Sequence, residues 1–211
     1  MTRDPATPEG TECVFIVDDD EAIRDALSWL FRSRGVLARA FASAEDFLAE
    51  WSAGMVGCLL LDIRMGGMSG LDLFDRLQEV SITMPVIFLT GHGDVPMAVS
   101  ALKKGALDFV EKPFNDNELV DRVIEALALA AERRQRDAGS AGIASRLATL
   151  TARERQVMDL VLAGKLNKVI ADDLGITMRT VEVHRAHVFE KMGVKTAVEL
   201  AQLLSSLGAA R

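Results

Sequence analysis

Four short apolar runs in the first half of the chain each lead into charged or hydroxyl side chains. The runs cover residues 13–17, 58–61, 86–89 and 108–111. The residues that follow them are Asp18 and Asp19, Asp62, Thr90, and Lys112. If the runs are parallel strands, their carboxyl ends meet at one edge of one sheet, where ligands of such sheets bind. This constraint favours a parallel sheet with one polar edge.

Helix-period segments separate the runs. Ile23, Leu27 and Leu30 recur at helical spacing after the first run, and a further strand is predicted at residues 36–41. Ser43 and the acids after it resemble a helix start. Alternating strands and helices, with strands apolar on both faces, indicate a covered parallel sheet. The fold class predicted here is α/β, with a flavodoxin-like, doubly wound, five-stranded sheet.

The second half of the chain is predicted to be all-helical. A helix that begins near Asn117 is expected to break at the small residues 138–142. Four short helices follow, with Thr151, Asn167 and Thr177 as the predicted caps of the first three. The second and third are joined by a tight turn with a glycine, which is typical of a helix-turn-helix.

These patterns predict two domains, as does the length of 211 residues. The predicted parts are a flexible tail at 1–11, an α/β domain at 12–128, a helical extension and linker at 129–148, and a small four-helix domain at 149–211. The net charge is −7, but residues 12–128 carry −10, while 129–148 and 149–211 carry +2 each. An acidic module before a mildly basic one suggests a cation site followed by a polyanion partner.

The sequence also argues against a secreted or membrane protein. The amino-terminal residues lack the basic start and apolar segment of a signal peptide, and no run is long enough to cross a bilayer. Cys13 and Cys58 both lie in apolar runs, so buried free thiols are expected rather than a disulfide. A cytoplasmic protein with no membrane contact is therefore predicted.

The side chains at this polar edge are of the types found in phosphate-binding sites. Asp19 and Asp62 are predicted to hold Mg²⁺, with Asp18 acting through a water, because hard oxygen ligands suit this cation. Asp62 is then the nucleophile toward a phosphoryl group, Lys112 pairs with a phosphate oxygen and Thr90 donates to another. Each residue alone has an ordinary reading as a helix start, strand end or surface turn. Their joint placement favours the functional one.

The segments that contain these phosphate-site residues resemble those of a known family. Residues 17–21, 61–65, 90–94 and 111–114 are similar to the motifs of the receiver domain of two-component response regulators, and 149–211 resemble the LuxR-type helix-turn-helix. With the segment at 91–99, the chain is most similar to the FixJ branch of the NarL/FixJ family.

The resemblance implies further roles. Asp62 would be phosphorylated by a sensor histidine kinase, the Arg64 carbonyl would complete the Mg²⁺ shell, and Thr90 and Phe109 would form a switch pair. For Phe109, plain core packing is the alternative. The family implies a homodimer formed on phosphorylation, promoter DNA and RNA polymerase as partners, activation of transcription and no enzymatic turnover.

One position departs from the family pattern. The family has proline after the methionine that follows Asp62, whereas this chain has Gly66 and Gly67. Glycines are expected to loosen the loop that presents the Arg64 carbonyl. The departure therefore predicts weaker Mg²⁺ binding or a changed phosphate lifetime relative to a proline variant.

The third helix of the second domain has two different faces. Val181, His184 and Val188 are predicted to pack inward, with Glu182 and Val183 on the outer side, suited to a cytosine amino group and a thymine methyl. The alternative is that the outer groups are merely solvated. The candidate DNA contacts are Lys168, Thr177, Arg179, Thr180, Glu182, Val183, Arg185, Ala186 and Lys191. Among them, Lys168, Arg185 and Lys191 are predicted to contact phosphates, which position the protein on DNA without specifying sequence.

Function can be read in three ways from these features. In the first, phosphorylation drives dimerisation, and two linked DNA-binding domains that are weak alone then bind a promoter tightly. Before phosphorylation, the acidic domain is expected to cover the basic one, with residues 139–142 as the hinge. In the second, the chain is a phosphatase or phosphotransferase with Asp62 as covalent intermediate, although a Gly-rich nucleotide loop is missing. In the third, a receiver-like module never takes phosphate.

Overall fold

The computed structural model describes residues 10–80, 82, 84–91 and 95–208. The chain divides into two compact units, the first ending at Arg133 and the second beginning at Arg134. The predicted flexible tail lies outside the described residues except for Gly10 and Thr11. Among the described helices, none is both long and apolar enough to span a bilayer.

The first unit is built on a five-stranded parallel sheet, as predicted. The strands are β1 (Glu12–Val17), β2 (Ala38–Phe41), β3 (Val56–Asp62), β4 (Val86–Thr90) and β5 (Asp108–Glu111). The strand order is β2-β1-β3-β4-β5, so the order of strands in the sheet reverses direction at β1. The helices are α1 (Glu21–Ser33), α2 (Ala44–Glu50), α3 (Gly70–Glu79), α4 (Val95–Lys103) and α5 (Asp116–Ala148).

Helices cover both faces of the sheet, which explains why its central strands are apolar throughout. Alternate strand residues enter two different cores. Phe15 and Phe88 lie in one core with residues of α2 and α3. Ile16 and Ile87 lie in the other with residues of α1 and α5. All four side chains are almost fully buried.

Side-chain caps fix where the first three helices start. Asp20 accepts from the Ala22 N–H at 2.8 Å, and Ser43 accepts from the Asp46 N–H at 3.0 Å. Ser69 caps α3 with a reciprocal capping box. Such caps satisfy N–H groups that the helix leaves unpaired. They therefore determine the path of the loops that follow β1, β2 and β3.

Helix α5 differs from the sequence prediction. It was expected to break at residues 138–142, but this is wrong: the helix continues through Gly139 and Gly142 to Ala148. Glycine inside a helix costs about 1 kcal/mol relative to alanine. Packing offsets this cost, because Ile143 is buried in the core of the second unit.

The second unit continues with four short helices, α6 (Ala152–Leu162), α7 (Asn167–Leu174), α8 (Met178–Met192) and α9 (Ala197–Gly208). Thr151 opens α6 with a capping box, and Thr177 caps α8 by accepting from the Thr180 N–H at 3.2 Å. The predicted cap at Asn167 is wrong. Leu166 is the cap residue and makes no side-chain bond, whereas Asn167 is the first helical residue and accepts from Arg185 at 2.8 Å.

Candidate phosphoacceptor site and nucleic-acid interface

The sheet brings the predicted polar residues to one edge. Asp62 and Thr90 end the neighbouring strands β3 and β4, and Asp18 directly follows β1. Lys112 directly follows β5, and its backbone N–H donates to the Thr90 carbonyl at 2.7 Å. The edge therefore collects groups from four strands, as the sequence predicts for parallel pairing.

The Lys112 ammonium joins two buried carboxylates. It lies 2.7 Å from Asp62 Oδ1 and 2.8 Å from Asp18 Oδ2. Burial raises the pKa of the Asp62 carboxyl, and the Lys112 hydrogen bond offsets this only in part. Burial alone would lower the pKa of Lys112, but its bonds to both carboxylates together raise it. The lysine is therefore a fixed positive charge between two buried acids.

The remaining oxygens of these carboxylates accept backbone N–H groups. Asp62 Oδ2 accepts from the Arg64 N–H at 3.0 Å, and Asp18 Oδ1 accepts from the Asp20 N–H at 2.9 Å. Arg24 also donates to the Asp18 carbonyl at 2.8 Å. Since each acid is held from two sides, the orientation of both carboxylates is fixed by the fold. The contribution of Arg24 was missed in the sequence, because nothing local to α1 signals it.

Asp19 is placed differently from the other two acids. Its side chain is exposed, and its Oδ2 accepts from the Gly66 N–H at 2.9 Å. Within the part of the chain that the structure describes, no three acid, histidine or cysteine side chains converge as a metal cluster. The predicted donors, Asp18, Asp19, Asp62 and the Arg64 carbonyl, nevertheless supply only hard oxygen atoms. This donor chemistry fits Mg²⁺.

The Thr90 hydroxyl is the unsatisfied group of the site. The side chain is fully buried, and Oγ1 has no hydrogen-bond partner among the described residues. A buried hydroxyl without a partner costs roughly 1–3 kcal/mol, so such a group calls for an explanation. It is a donor held ready at the same edge as Asp62 and Lys112.

Phe109 lies on β5 opposite Phe88 of β4. It is half-buried and packs against the core that contains Phe15 and Phe88. The predicted switch role stays a prediction, because this one conformation is equally that of a packed core residue. Of the motif at 90–94, His92, Gly93 and Asp94 lie outside the described residues.

The outer face of α8 carries the predicted base-reading groups. Arg179, Glu182, Val183 and Ala186 are exposed. Val181 and Val188 are buried on the opposite side, as predicted. His184 is half-buried there, and its Nδ1 has no hydrogen-bond partner among the described residues. The helix therefore presents an unoccupied mixed face of the kind that enters a major groove.

Some of the other predicted DNA contacts are exposed, and some already form contacts within the domain. Lys168 is exposed at the start of α7 and forms no ion pair with another described residue. Arg185 donates to Asn167 and stacks over the Phe189 ring at 5.5 Å. The Thr177 and Thr180 hydroxyls lie 2.8 Å apart, so part of their hydrogen-bonding capacity is used within the helix start.

Lys191 is committed to an interaction that the sequence did not reveal. Its ammonium lies 2.6 Å from Glu154 Oε2 and 3.2 Å from the Thr149 carbonyl. Glu154 is buried, and its carboxylate also accepts from the Thr151 N–H at 2.8 Å. The pKa of Glu154 is lowered to about 2, mainly by the hydrogen bond from Lys191 and secondly by the one from the Thr151 N–H. The capping box identifies Glu154 in the sequence, but not its long-range partner.

Two family models match separate parts of the chain. Residues 14–124 match the model of the response regulator receiver domain, and residues 148–204 match that of bacterial regulatory proteins of the luxR family. The C4-dicarboxylate transport transcriptional regulatory protein DctR of Rhodobacter capsulatus is 53% identical over 192 residues, which cover 90% of this chain and 98% of DctR.

Two further similarities extend over most of the chain. The transcriptional regulatory protein FixJ of Bradyrhizobium diazoefficiens is 40% identical over 195 residues, with 92% of this chain and 95% of FixJ covered. The solved structure of the response regulator StyR superposes with a TM-score of 0.87 at 41% identity, and covers 92% of this chain and 98% of StyR.

Proposed function

Because the chain belongs to the two-component response regulators that join a receiver domain to a LuxR-type DNA-binding domain, we propose that Asp62 is its phosphoacceptor and that phosphorylation there controls promoter binding. The chain is thus a transcription factor and not an enzyme. A receiver implies a sensor histidine kinase as partner, and the helix-turn-helix implies DNA. These partners work together in the bacterial cytoplasm, which is where we place the protein.

The observation that carries the proposal is the set of groups around Asp62. Lys112 supplies a positive charge 2.7 Å from its Oδ1, and Thr90 supplies a buried hydroxyl with no other partner among the described residues. A phosphoryl group on Asp62 would bring oxygens that accept from both.

The chemistry of transfer is a simple displacement. An Asp62 carboxylate oxygen forms the new P–O bond as the P–N bond to the kinase histidine breaks, and the electron pair leaves with the imidazole nitrogen. Lys112 opposes the effect of burial on the pKa of the Asp62 carboxyl, and its positive charge would offset the negative charge that develops on the phosphoryl oxygens. The Arg64 N–H on Oδ2 holds the nucleophile in a single orientation.

Asp18, Asp19 and Asp62, with the Arg64 carbonyl, would hold Mg²⁺. The cation would neutralise phosphoryl charge at the moment of transfer. Asp18 and Asp62 are buried and already fixed by N–H groups and by Lys112. These two residues would therefore offer oriented carboxylate oxygens, the hard donor type that Mg²⁺ prefers.

The same site would also control dimerisation and DNA binding. We assign Thr90 and Phe109 to the switch, with the hydroxyl moving to the phosphoryl group and the ring turning inward. This change would favour a homodimer. Two linked helix-turn-helix domains would then bind a promoter through the exposed face of α8, gain affinity through effective concentration, and recruit RNA polymerase to activate transcription.

The test compares wild type with Asp62→Ala, each with and without Mg²⁺ and beryllofluoride. Size-exclusion chromatography with light scattering measures the dimer, and fluorescence anisotropy measures binding to promoter-type DNA. A shift to dimer and tighter DNA binding in wild type alone is expected. The proposal would be overturned by no shift in either protein, or by the same shift in both.

A further inference from the structure

The loop between β3 and α3 is held by a regular series of hydrogen bonds. The backbone N–H groups of three alternate residues, Arg64, Gly66 and Met68, each donate to a carboxylate. The acceptors are Asp62 at 3.0 Å, Asp19 at 2.9 Å and Glu45 at 3.0 Å. The loop is thus tied by hydrogen bonds to acids from three different parts of the chain and is not loose.

Gly66 is the unusual member of this series. The family pattern has proline at this position, and proline has no N–H to donate. The bond from Gly66 to Asp19 is therefore one that a proline-containing loop cannot make. Conformation does not require glycine here, because Gly66 does not lie at positive φ and an added Cβ would meet only Asp19 Oδ2, at 3.9 Å.

We propose that the Gly66 N–H positions Asp19 for the cation. Asp19 is exposed, so in the absence of a partner its carboxylate would rotate in water. The bond to Oδ2 fixes the carboxylate and leaves Oδ1 for a metal, since an ionised carboxylate has about four acceptor sites. Hydrogen bonds of this kind to ligating carboxylates orient them and tune metal affinity.

The bond also links two of the proposed ligands. Gly66 lies two residues beyond Arg64, whose carbonyl would complete the Mg²⁺ shell, so the Asp19 carboxylate is tied to the loop that carries this carbonyl. The consequence is opposite to the expectation from glycine flexibility. Replacing Gly66 with proline should weaken Mg²⁺ binding, because it removes the donor. This inference rests on the proposed metal site at Asp18, Asp19 and Asp62.

The matched test is Gly66→Pro against Gly66→Ala in the full chain, with Mg²⁺ affinity measured by isothermal titration calorimetry. Alanine retains the N–H and fits the available space, whereas proline removes it. Gly66→Pro should bind Mg²⁺ about tenfold more weakly than Gly66→Ala. Equal affinity, or tighter binding by the proline variant, would overturn the inference. Wild type that binds no Mg²⁺ at all would instead contradict the metal site of the proposed function.

A second measurement needs no proline variant and so does not depend on its folding. Amide hydrogen exchange at Gly66 is followed in wild type with and without Mg²⁺. A positioning bond persists beside the bound cation, so exchange should slow when Mg²⁺ is added. Faster exchange would mean that the metal competes with the Gly66 N–H for Asp19, and the inference would be abandoned.

Discussion

The Lys112 ammonium lies 2.7 Å from the Asp62 carboxylate and simultaneously 2.8 Å from Asp18. The resting site is therefore neutralised in part by the protein itself. Two buried acids side by side are unfavourable unless a cation lies between them. The residue that would bind the phosphoryl group thus has a second role, since it stabilises the site before phosphorylation.

Lys112→Met should destabilise the first unit by about 3 kcal/mol, because two buried carboxylates lose their cation. Thermal unfolding measures the loss, and saturating Mg²⁺ should restore part of it. Lys104→Met is the matched control: Lys104 pairs with Asp75 at 2.7 Å, but both side chains are about half exposed. That variant should change stability by less than about 1 kcal/mol. Equal losses would refute the role given to Lys112.

The Thr90 hydroxyl leads to a prediction in which stability and function move in opposite directions. Thr90→Val preserves the side-chain shape and removes a buried group with no partner among the described residues. It should stabilise the resting protein by about 1 kcal/mol and lose the beryllofluoride-induced dimer. Thr90→Ser retains the hydroxyl and should keep much of the response. Loss of stability in Thr90→Val would mean that Oγ1 is satisfied by a group such as an ordered water.

The polar edge could be predicted because it depends on few rules. Runs that are apolar on both faces predict parallel strands, and parallel strands bring Asp18, Asp62, Thr90 and Lys112 to one side. The partners could not be predicted, because they depend on charge balance in the folded protein. Lys112 was assigned to a phosphate oxygen, but in the resting state it binds two carboxylates.

Other features that local sequence does not reveal also come from contacts between residues distant in the chain. Small residues near Gly139 indicate a linker locally, yet burial of Ile143 in the second core keeps α5 helical. Gly66 suggests a flexible loop, yet its N–H donates to a carboxylate 47 residues away. Lys191 has the sequence context of a phosphate contact, yet it pairs with Glu154. In each case tertiary packing outweighs the local preference.

The Glu154–Lys191 pair makes the stability of the second unit depend on acid pH. The folded pKa of Glu154 is lowered from 4.5 to about 2, mainly by Lys191. A lowered pKa means that the folded state binds this proton less readily than the unfolded state. The stabilisation is therefore complete above about pH 4.5 and is lost as pH falls toward about 2.

Glu154→Gln should remove this pH dependence, because the titrating group is gone. Scanning calorimetry at pH 5, 4 and 3 would follow the unfolding of the second unit in both proteins. The stability difference between wild type and variant should shrink as the pH falls. Asp159→Asn, a change at an exposed acid on the same helix, provides the control. A constant difference across these pH values would argue against the ion pair as its cause.

The exposed side chains of α7 and α8 predict that DNA affinity and sequence specificity can be changed separately. Lys168→Ala removes a candidate phosphate contact, so DNA binding should weaken for all sequences, with the salt slope reduced by roughly 0.9. Glu182→Ala removes a candidate base contact and should relax the preference at one base pair by about 1–3 kcal/mol. Selection from a random DNA pool, followed by anisotropy titrations at several salt concentrations, separates the two effects.

Lys191→Ala distinguishes direct from indirect effects in the same assay. Because Lys191 binds Glu154 inside the domain, its loss should lower the thermal stability of the second unit and leave the salt slope near that of wild type. A salt slope reduced as in Lys168→Ala, with unchanged stability, would instead place Lys191 on a DNA phosphate. In that case the ion pair between Lys191 and Glu154 would break when the protein binds DNA, and Lys191 would contact a phosphate instead.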